Sequence, residues 1–306
     1  MSKEILCTLG PASMNDRVIA RLEELGVSLF RINLSHTKIE DVAPVIDFVQ
    51  ARTKVPLCLD TEGAQIRTGA IAEGQAIVRD NSVIRVYRAP VPGDSQRLNF
   101  YPPDIVDCLE LGDFVCIDFN TVLAQVIERE PGNATLRVVN GGTFGANKAV
   151  TVERAIAMPP LTEKDSAAMA IGREKGIRHV ALSFANRGSD LDVIRAAALP
   201  DAFVISKIEC RNGLINLDEI TAKSDALLID RGDLSREMPI ERVPALQKWV
   251  TRRGKQAGRK VYVATNLLES MITASVPTRA EVNDVFNTLL DGVDGLVLAA
   301  ETAIGA

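Results

Sequence analysis

Val204-Ile205-Ser206-Lys207-Ile208-Glu209-Cys210 reads as a short buried strand that ends in charge. Strand side chains alternate between faces, so Lys207 and Glu209 share one face, and Ser206 and Ile208 share the other. An ammonium and a carboxylate at the end of a buried strand are costly unless something requires them. A structural ion pair is the plain alternative. The stretch Asp225-Ala226-Leu227-Leu228-Ile229-Asp230-Arg231-Gly232-Asp233 has the same design, an apolar strand with an acidic end. Two neighbouring strands then offer Glu209 and Asp233 at one sheet edge, beside Lys207. Two hard oxygen donors next to an ammonium suit a magnesium ion bound together with an anionic substrate.

Outward from this pair the chain alternates. Toward the C-terminus, strands are predicted at Val261–Ala264 and Gly295–Ala299, and upstream at His179–Phe184. Helices fall between them at about Asp190–Ala198, Ile215–Ala222, Ile240–Gly258 and Arg279–Leu290. Thr162 and Asp165 form a capping-box pattern that opens a further helix. The N-terminal third repeats the alternation, with strands at Glu4–Leu9, Val27–Leu34 and Pro56–Asp60 and helices at Asn15–Leu25 and Ile39–Arg52. Eight such strands with crossover helices predict an α/β fold, a (β/α)8 TIM barrel. An open doubly wound sheet is the runner-up, but no glycine-rich dinucleotide fingerprint follows the first strand.

Between about Thr68 and Thr151 the texture changes to short β-rich runs broken by Gly, Pro, Asn and Asp. This predicts an all-β lid domain inserted after strand 3. The expected domains are 1–68 and 156–306 for the barrel and 69–155 for the insertion. The pattern stops at Ala306 without an eighth helix. That predicts an apolar flank on strands 8 and 1, covered in a homo-oligomer or by a longer natural chain.

The bulk properties exclude several classes. The 306 residues are 46% hydrophobic and 25% charged, ordinary for a globular enzyme. The net charge of −5 disfavours nonspecific binding to nucleic acid or an anionic membrane. No apolar run approaches the roughly 20 residues that span a bilayer. Five cysteines without a CxxC pair fit a reducing cytoplasm. His179 reads as structural and Trp249 as packing.

Chemistry in this barrel type sits at the C-terminal strand ends. Those ends carry Thr8 and Pro11 after strand 1, then Arg31, Asn33, Ser35 and His36 after strand 2. Asp60, Thr61 and Arg67 follow strand 3; later ends add Lys207, Glu209, Gly232, Asp233, Thr265, Glu301 and Thr302. Arginines and a lysine facing metal-binding carboxylates form an anion-plus-magnesium pocket of the kind phosphoryl or carboxylate chemistry uses.

These residues resemble a known family. The runs Cys7-Thr8-Leu9-Gly10-Pro11-Ala12-Ser13, Phe30-Arg31-Ile32-Asn33-Leu34-Ser35-His36, Leu59-Asp60-Thr61-Glu62-Gly63 and Ile66-Arg67-Thr68-Gly69 carry the likeness. So do Ser206-Lys207-Ile208-Glu209, Arg231-Gly232-Asp233-Leu234, Ala264-Thr265, Leu268-Glu269-Ser270-Met271, Pro277-Thr278-Arg279-Ala280-Glu281 and Glu301-Thr302-Ala303. In order and spacing they are similar to the pyruvate kinases. The resemblance implies transfer of a phosphoryl group from phosphoenolpyruvate to ADP through a pyruvate enolate. It implies Mg2+ or Mn2+ as cofactor, K+ as a further cation, and a cytoplasmic, oligomeric enzyme with small-molecule partners.

Carried over by position, Lys207 would steady the transferring phosphoryl group and the enolate oxygen. Glu209 and Asp233 would hold the divalent metal. Gly232, Asp233 and Thr265 would hold the substrate carboxylate, with Thr265 also near the path of the proton, and Arg31 would contact phosphate. Asn33, Ser35, Asp60 and Thr61 resemble the monovalent-cation ligands. Thr8, Pro11, His36, Arg67 and Lys148 resemble nucleotide contacts.

The departures cluster on the nucleotide side. The family's Asp-Asp-Gly is Asp118-Phe119-Asn120, and Ser-His-Gly is Ser35-His36-Thr37. Asp41 replaces a tyrosine, Gln65 a glutamate, Ile304 a lysine and Ala299 a serine. A metal-dependent aldolase of 2-oxo acids, using the same enolate site without nucleotide, is the alternative that these departures raise.

Overall fold

The computed structural model describes residues 3–118, 121–154 and 156–305. It divides into two compact units, 1–64 with 159–306 and 65–158. In the first unit eight parallel strands close a barrel in chain order. They are β1 (Glu4–Thr8), β2 (Leu29–Asn33), β3 (Leu57–Asp60), β4 (His179–Leu182), β5 (Phe203–Ile208), β6 (Ala226–Asp230), β7 (Lys260–Ala264) and β8 (Gly295–Leu298). β8 closes on β1, with Glu4 opposite Gly295 and Cys7 opposite Leu298.

The connecting helices are α1 (Asp16–Glu24), α2 (Ile39–Gln50), α3 (Glu163–Glu174), α4 (Gly188–Ala197), α5 (Leu217–Lys223), α6 (Val243–Gln256) and α7 (Arg279–Leu290). Side chains fix where they begin. The Asn15 carboxamide accepts from Val18 N at the start of α1. Thr162 with Asp165, and Thr278 with Glu281, form capping boxes at α3 and α7. A Cβ on Gly172 would lie 2.7 Å from Leu59 Cδ1, and one on Gly254 would lie 2.6 Å from Val261 Cγ2, so glycine lets α3 and α6 sit close on the strands.

Strand alternation sorts the barrel into two cores. One lies between strands and helices and includes Phe30, Ile32, Leu59, Val204, Ile208, Leu227, Ile229 and Val263. The other fills the barrel with Leu6, Leu29, Cys58, Ala181, Ile205, Ala226, Leu228, Tyr262, Ala264 and Val297. Two residues further along the same inward faces come Thr8, Arg31, Asp60, Ser183, Lys207 and Asp230, all buried. The interior is therefore apolar below and charged at the C-terminal ends of the strands.

The second unit is itself a closed barrel of seven strands, with a separate two-stranded sheet of Gln75–Val78 and Gly142–Gly145. Its core holds Phe100, Ile117, Leu136 and Phe144. It begins before residue 69 because Ile66–Thr68 is one of its strands, paired with Ala149–Val152 and Arg97–Tyr101.

Among the described residues no helix is long and apolar enough to cross a membrane. His179 is half-buried, with its ring 5.5 Å from that of Phe203. Burial, then the nearby Lys260, holds its pKa below the usual value. Trp249 departs from its packing role, since it is 41% exposed. The buried residues of α6 are Val243, Gln247, Val250, Thr251 and Gly254, and Trp249 lies about 100° round the helix from Val250.

Candidate active site

At the C-terminal end of the first barrel, five charged side chains are packed against one another. Lys207 Nζ lies 3.1 Å from Glu209 Oε2 and 3.6 Å from both Asp60 Oδ2 and Asp230 Oδ2. It also donates to Ser183 Oγ at 3.0 Å. Arg31 Nη1 donates to Asp60 Oδ2 at 2.7 Å, and Arg31 Nε to Thr8 Oγ1 at 3.0 Å. All five are at least nine-tenths buried. Three carboxylates thus face two cations in a low-dielectric interior, leaving one negative charge in surplus.

The surplus sits at Glu209. Its Oε1 accepts from Phe184 N at 2.7 Å, while Oε2, with Lys207 Nζ at 3.1 Å, accepts no hydrogen bond among the described residues. Burial, partly countered by Lys207 and reinforced by Asp233, Asp230 and Asp60, raises the Glu209 pKa. Asp230 goes the other way. Its burial is outweighed by Lys207, Arg31, the Thr265 hydroxyl and Asp233 N, which hold its carboxyl below the usual range. For Lys207, burial disfavours the charge, but Asp60, Glu209 and Asp230 outweigh it and push the ammonium pKa up.

Glu209, Asp230 and Asp233 each place a carboxylate oxygen within 4.8 Å of the others. With one orphaned buried oxygen and an all-oxygen donor set, this corner fits a hard divalent cation. Asp233 stands in the short helix Arg231–Glu237 and pairs with Arg236 Nη2 at 2.6 Å.

Thr265 follows β7 in a left-handed conformation, φ 67°, and Asn266 continues it at 51°. For a β-branched residue this geometry is an outlier that costs on the order of 1–3 kcal/mol. The Thr265 hydroxyl accepts from Gly232 N at 2.8 Å and reaches Asp230 Oδ1 at 3.1 Å. Asp233 N approaches Asp230 Oδ1 at 3.4 Å. The structure therefore brings Lys207, Glu209, Asp230, Gly232, Asp233 and Thr265 into one neighbourhood.

The residues expected for a monovalent ion lie at the adjoining β2–β3 edge, where Asn33 and Asp60 are register partners. Asn33 Oδ1 accepts from Ser35 N at 3.0 Å, and Thr61 Oγ1 from Ser183 N at 2.9 Å. Thr8, expected on the nucleotide side, is buried, and its hydroxyl accepts from Arg31 Nε at 3.0 Å. Pro11 and His36 are exposed in the loops after β1 and β2. Arg67 and Lys148 belong to the second unit. There Arg67 donates to Asn147 O at 3.0 Å and Gln65 Oε1 at 2.8 Å, and Lys148 lies 3.1 Å from Asp118 Oδ2. The Phe119 and Asn120 departures lie outside the described residues.

Sequence reasoning overlooked Asp230 and Ser183. Both were legible from alternation, since Asp230 continues Ala226 and Leu228, and Ser183 continues Ala181.

The whole chain, residues 1–306, matches the family model described as pyruvate kinase, barrel domain. The chain belongs to the pyruvate kinase family. It is similar to a pyruvate kinase of Methylorubrum extorquens, 36% identical over 308 residues, covering 99% of this chain and 64% of the relative. It is 33% identical to a pyruvate kinase of Geobacillus stearothermophilus, covering 99% of this chain and 54% of that one. A pyruvate kinase of Thermococcus litoralis is 32% identical, covering 99% and 66%. The chain thus spans between about half and two thirds of the curated relatives it matches. These relatives are named as kinases, and the aldolase alternative finds no support among them.

Proposed function

We propose that the barrel transfers the phosphoryl group of phosphoenolpyruvate to ADP, giving pyruvate and ATP. The observation that carries this reading is the buried Lys207 ammonium set against Glu209 and Asp230, with Asp233 beside them. In the reaction the bond from phosphorus to the C2 oxygen breaks, and a bond to a terminal oxygen of ADP forms. The C2 oxygen keeps the electron pair as an enolate, which takes a proton at C3 to become pyruvate.

Lys207 would meet that developing oxyanion charge, held in place by the carboxylates and by Ser183. Glu209 and Asp233 would hold Mg2+ or Mn2+, with Asp230 alongside. The divalent ion supplies Lewis-acid stabilisation of the phosphoryl and enolate oxygens. Arg31 commits Nε and Nη1 to Thr8 and Asp60, and among the described residues no hydrogen bond is shown for Nη2, which suits a phosphate oxygen. Thr265, with Gly232 and Asp233, would take the substrate carboxylate. Asn33, Ser35, Asp60 and Thr61 would take K+. Thr8, Pro11, His36, Arg67 and Lys148 are the nucleotide-side candidates, with Thr8 acting through Arg31.

The test is pyruvate formation from phosphoenolpyruvate with Mg2+, with and without ADP and K+. ADP-dependent release that fails in Glu209→Gln supports the reading. Release that is indifferent to ADP removes it.

A further inference from the structure

Arg231 lies between two residues of the site, Asp230 and Gly232, but its side chain turns away from the metal corner. All three of its guanidinium nitrogens donate hydrogen bonds. Nε and Nη2 donate to Thr265 O at 3.1 and 2.7 Å, and Nη2 also to Asn266 O at 2.9 Å. Nη1 forms a two-oxygen ion pair with Asp284 of α7 at 3.0 and 2.8 Å, and approaches Gln247 Oε1 of α6 at 3.5 Å. The carbonyls it grips are those of the two left-handed residues, Thr265 and Asn266.

We propose that Arg231 is a positioning residue that holds Thr265 in its left-handed turn and so aims the hydroxyl that receives the three-carbon substrate's carboxylate, with Asp284 locking Arg231 from α7. This rests on the substrate reading above and deepens it. The turn is disfavoured for threonine, so something must over-determine it. Relaxing Thr265 and Asn266 to ordinary φ would rotate both carbonyls off the guanidinium. The run 230–232 then fixes Thr265 from three sides. Asp230 Oδ1 and Gly232 N meet its hydroxyl, and Arg231 meets its carbonyl. Lysine cannot replace this fork, because it presents a point charge with three donors and no planar array. Arg231 does not touch the reacting atoms; its influence passes through Thr265.

A double-mutant cycle between Arg231→Met and Thr265→Ala tests this. It is read as the Kd of oxalate with Mg2+ by calorimetry and as kcat/KM for phosphoenolpyruvate, with KM for ADP as the control. Oxalate presents the adjacent oxygens of the enolate. Arg231→Met is expected to lower kcat/KM by about 10²-fold, the cost of a misplaced positioning group. It should weaken oxalate in parallel and leave KM for ADP nearly unchanged. Arg231→Lys should not rescue. In the Thr265→Ala background the same change should have almost no further effect, the signature of two residues acting as a unit.

Additive effects, or crystals of Arg231→Met in which Thr265 keeps its positive φ, would overturn the proposal. If Arg231→Met does not fold, Asp284→Asn replaces it in the cycle, with a smaller effect in the same direction. Wild type that binds oxalate with Mg2+ but shows no ADP-dependent turnover counts against the phosphotransferase reading alone, and the oxalate cycle still decides Arg231. Wild type that binds neither oxalate nor phosphoenolpyruvate overturns both.

Discussion

Glu209 Oε2 lies 3.1 Å from Lys207 Nζ and yet accepts no hydrogen bond. Both side chains are buried, so no ready exchange with solvent compensates. A buried carboxylate oxygen in this state has lone pairs to offer a cation.

Mg2+ should therefore stabilise the folded protein. At a concentration about 100 times its Kd, a ligand specific for the native state adds about 2.7 kcal/mol. Melting temperature is expected to rise with Mg2+ and to stop responding in Glu209→Gln and Asp233→Asn. A Mg2+ shift that survives both substitutions would place the ion elsewhere.

Lys207→Met should abolish turnover and also weaken the apo protein. Removing one partner of a buried charge cluster typically costs about 3–5 kcal/mol. Because the loss comes from uncompensated carboxylates, Mg2+ should restore more stability to the variant than to the wild type. Denaturant melts with and without Mg2+ measure this. An equal Mg2+ increment in both proteins would contradict it.

Asp165 does more than cap α3. Its carboxylate accepts from Thr162 N at 3.0 Å, and from Glu62 N and Gly63 N at 2.7 and 3.1 Å. It is fully buried, so it pins the loop that follows Thr61. Asp165→Ala leaves three amides without an acceptor, each worth about 1–3 kcal/mol. A loss of at least about 3 kcal/mol is expected in denaturant unfolding, and a loss under 1 kcal/mol would mean the loop finds other partners.

Glu281 gives a pH signature away from the site. Hydrogen bonds from the Ser270 hydroxyl, Ser270 N and Thr278 N hold its carboxyl pKa down to about 2. In the unfolded chain a glutamate titrates near its ordinary value, about 4.3. The folded state binds this proton less readily, so the contribution is complete above about pH 5 and is lost as pH falls toward 2. Glu281→Gln should flatten that part of the stability–pH curve. An unchanged acid limb would show that the cap does not titrate.

Most of the first barrel was legible because its strands are apolar on both faces and separated by capped helices. The Lys207 and Glu209 pairing followed from alternation alone. Asp230 is masked in the sequence by the equally acidic Asp233 three residues later, although Asp230 keeps the inward phase of Ala226 and Leu228. Ser183 carries no charge and gave no signal beyond that phase. The positioning role of Arg231 was not legible, since its partners Thr265 and Asp284 are distant in sequence. The insertion was recognisable as β-rich, but its pairing order was not. Val83–Tyr87 lies between Asn133–Asn140 and Arg97–Tyr101, a choice set by side-chain packing across the closed sheet.

Lys207, beside an acidic metal corner, is proposed to stabilise the oxyanion that phosphoryl departure leaves behind. Single-turnover conversion of phosphoenolpyruvate with ADP and Mg2+ tests it most directly in wild type and Lys207→Met. ATP and pyruvate are expected in equal amounts from the wild type, with a rate at least about 10³-fold lower from the variant, as for loss of a charge aimed at the developing oxyanion. Equal rates in the two proteins, or pyruvate formed without ATP, would contradict it.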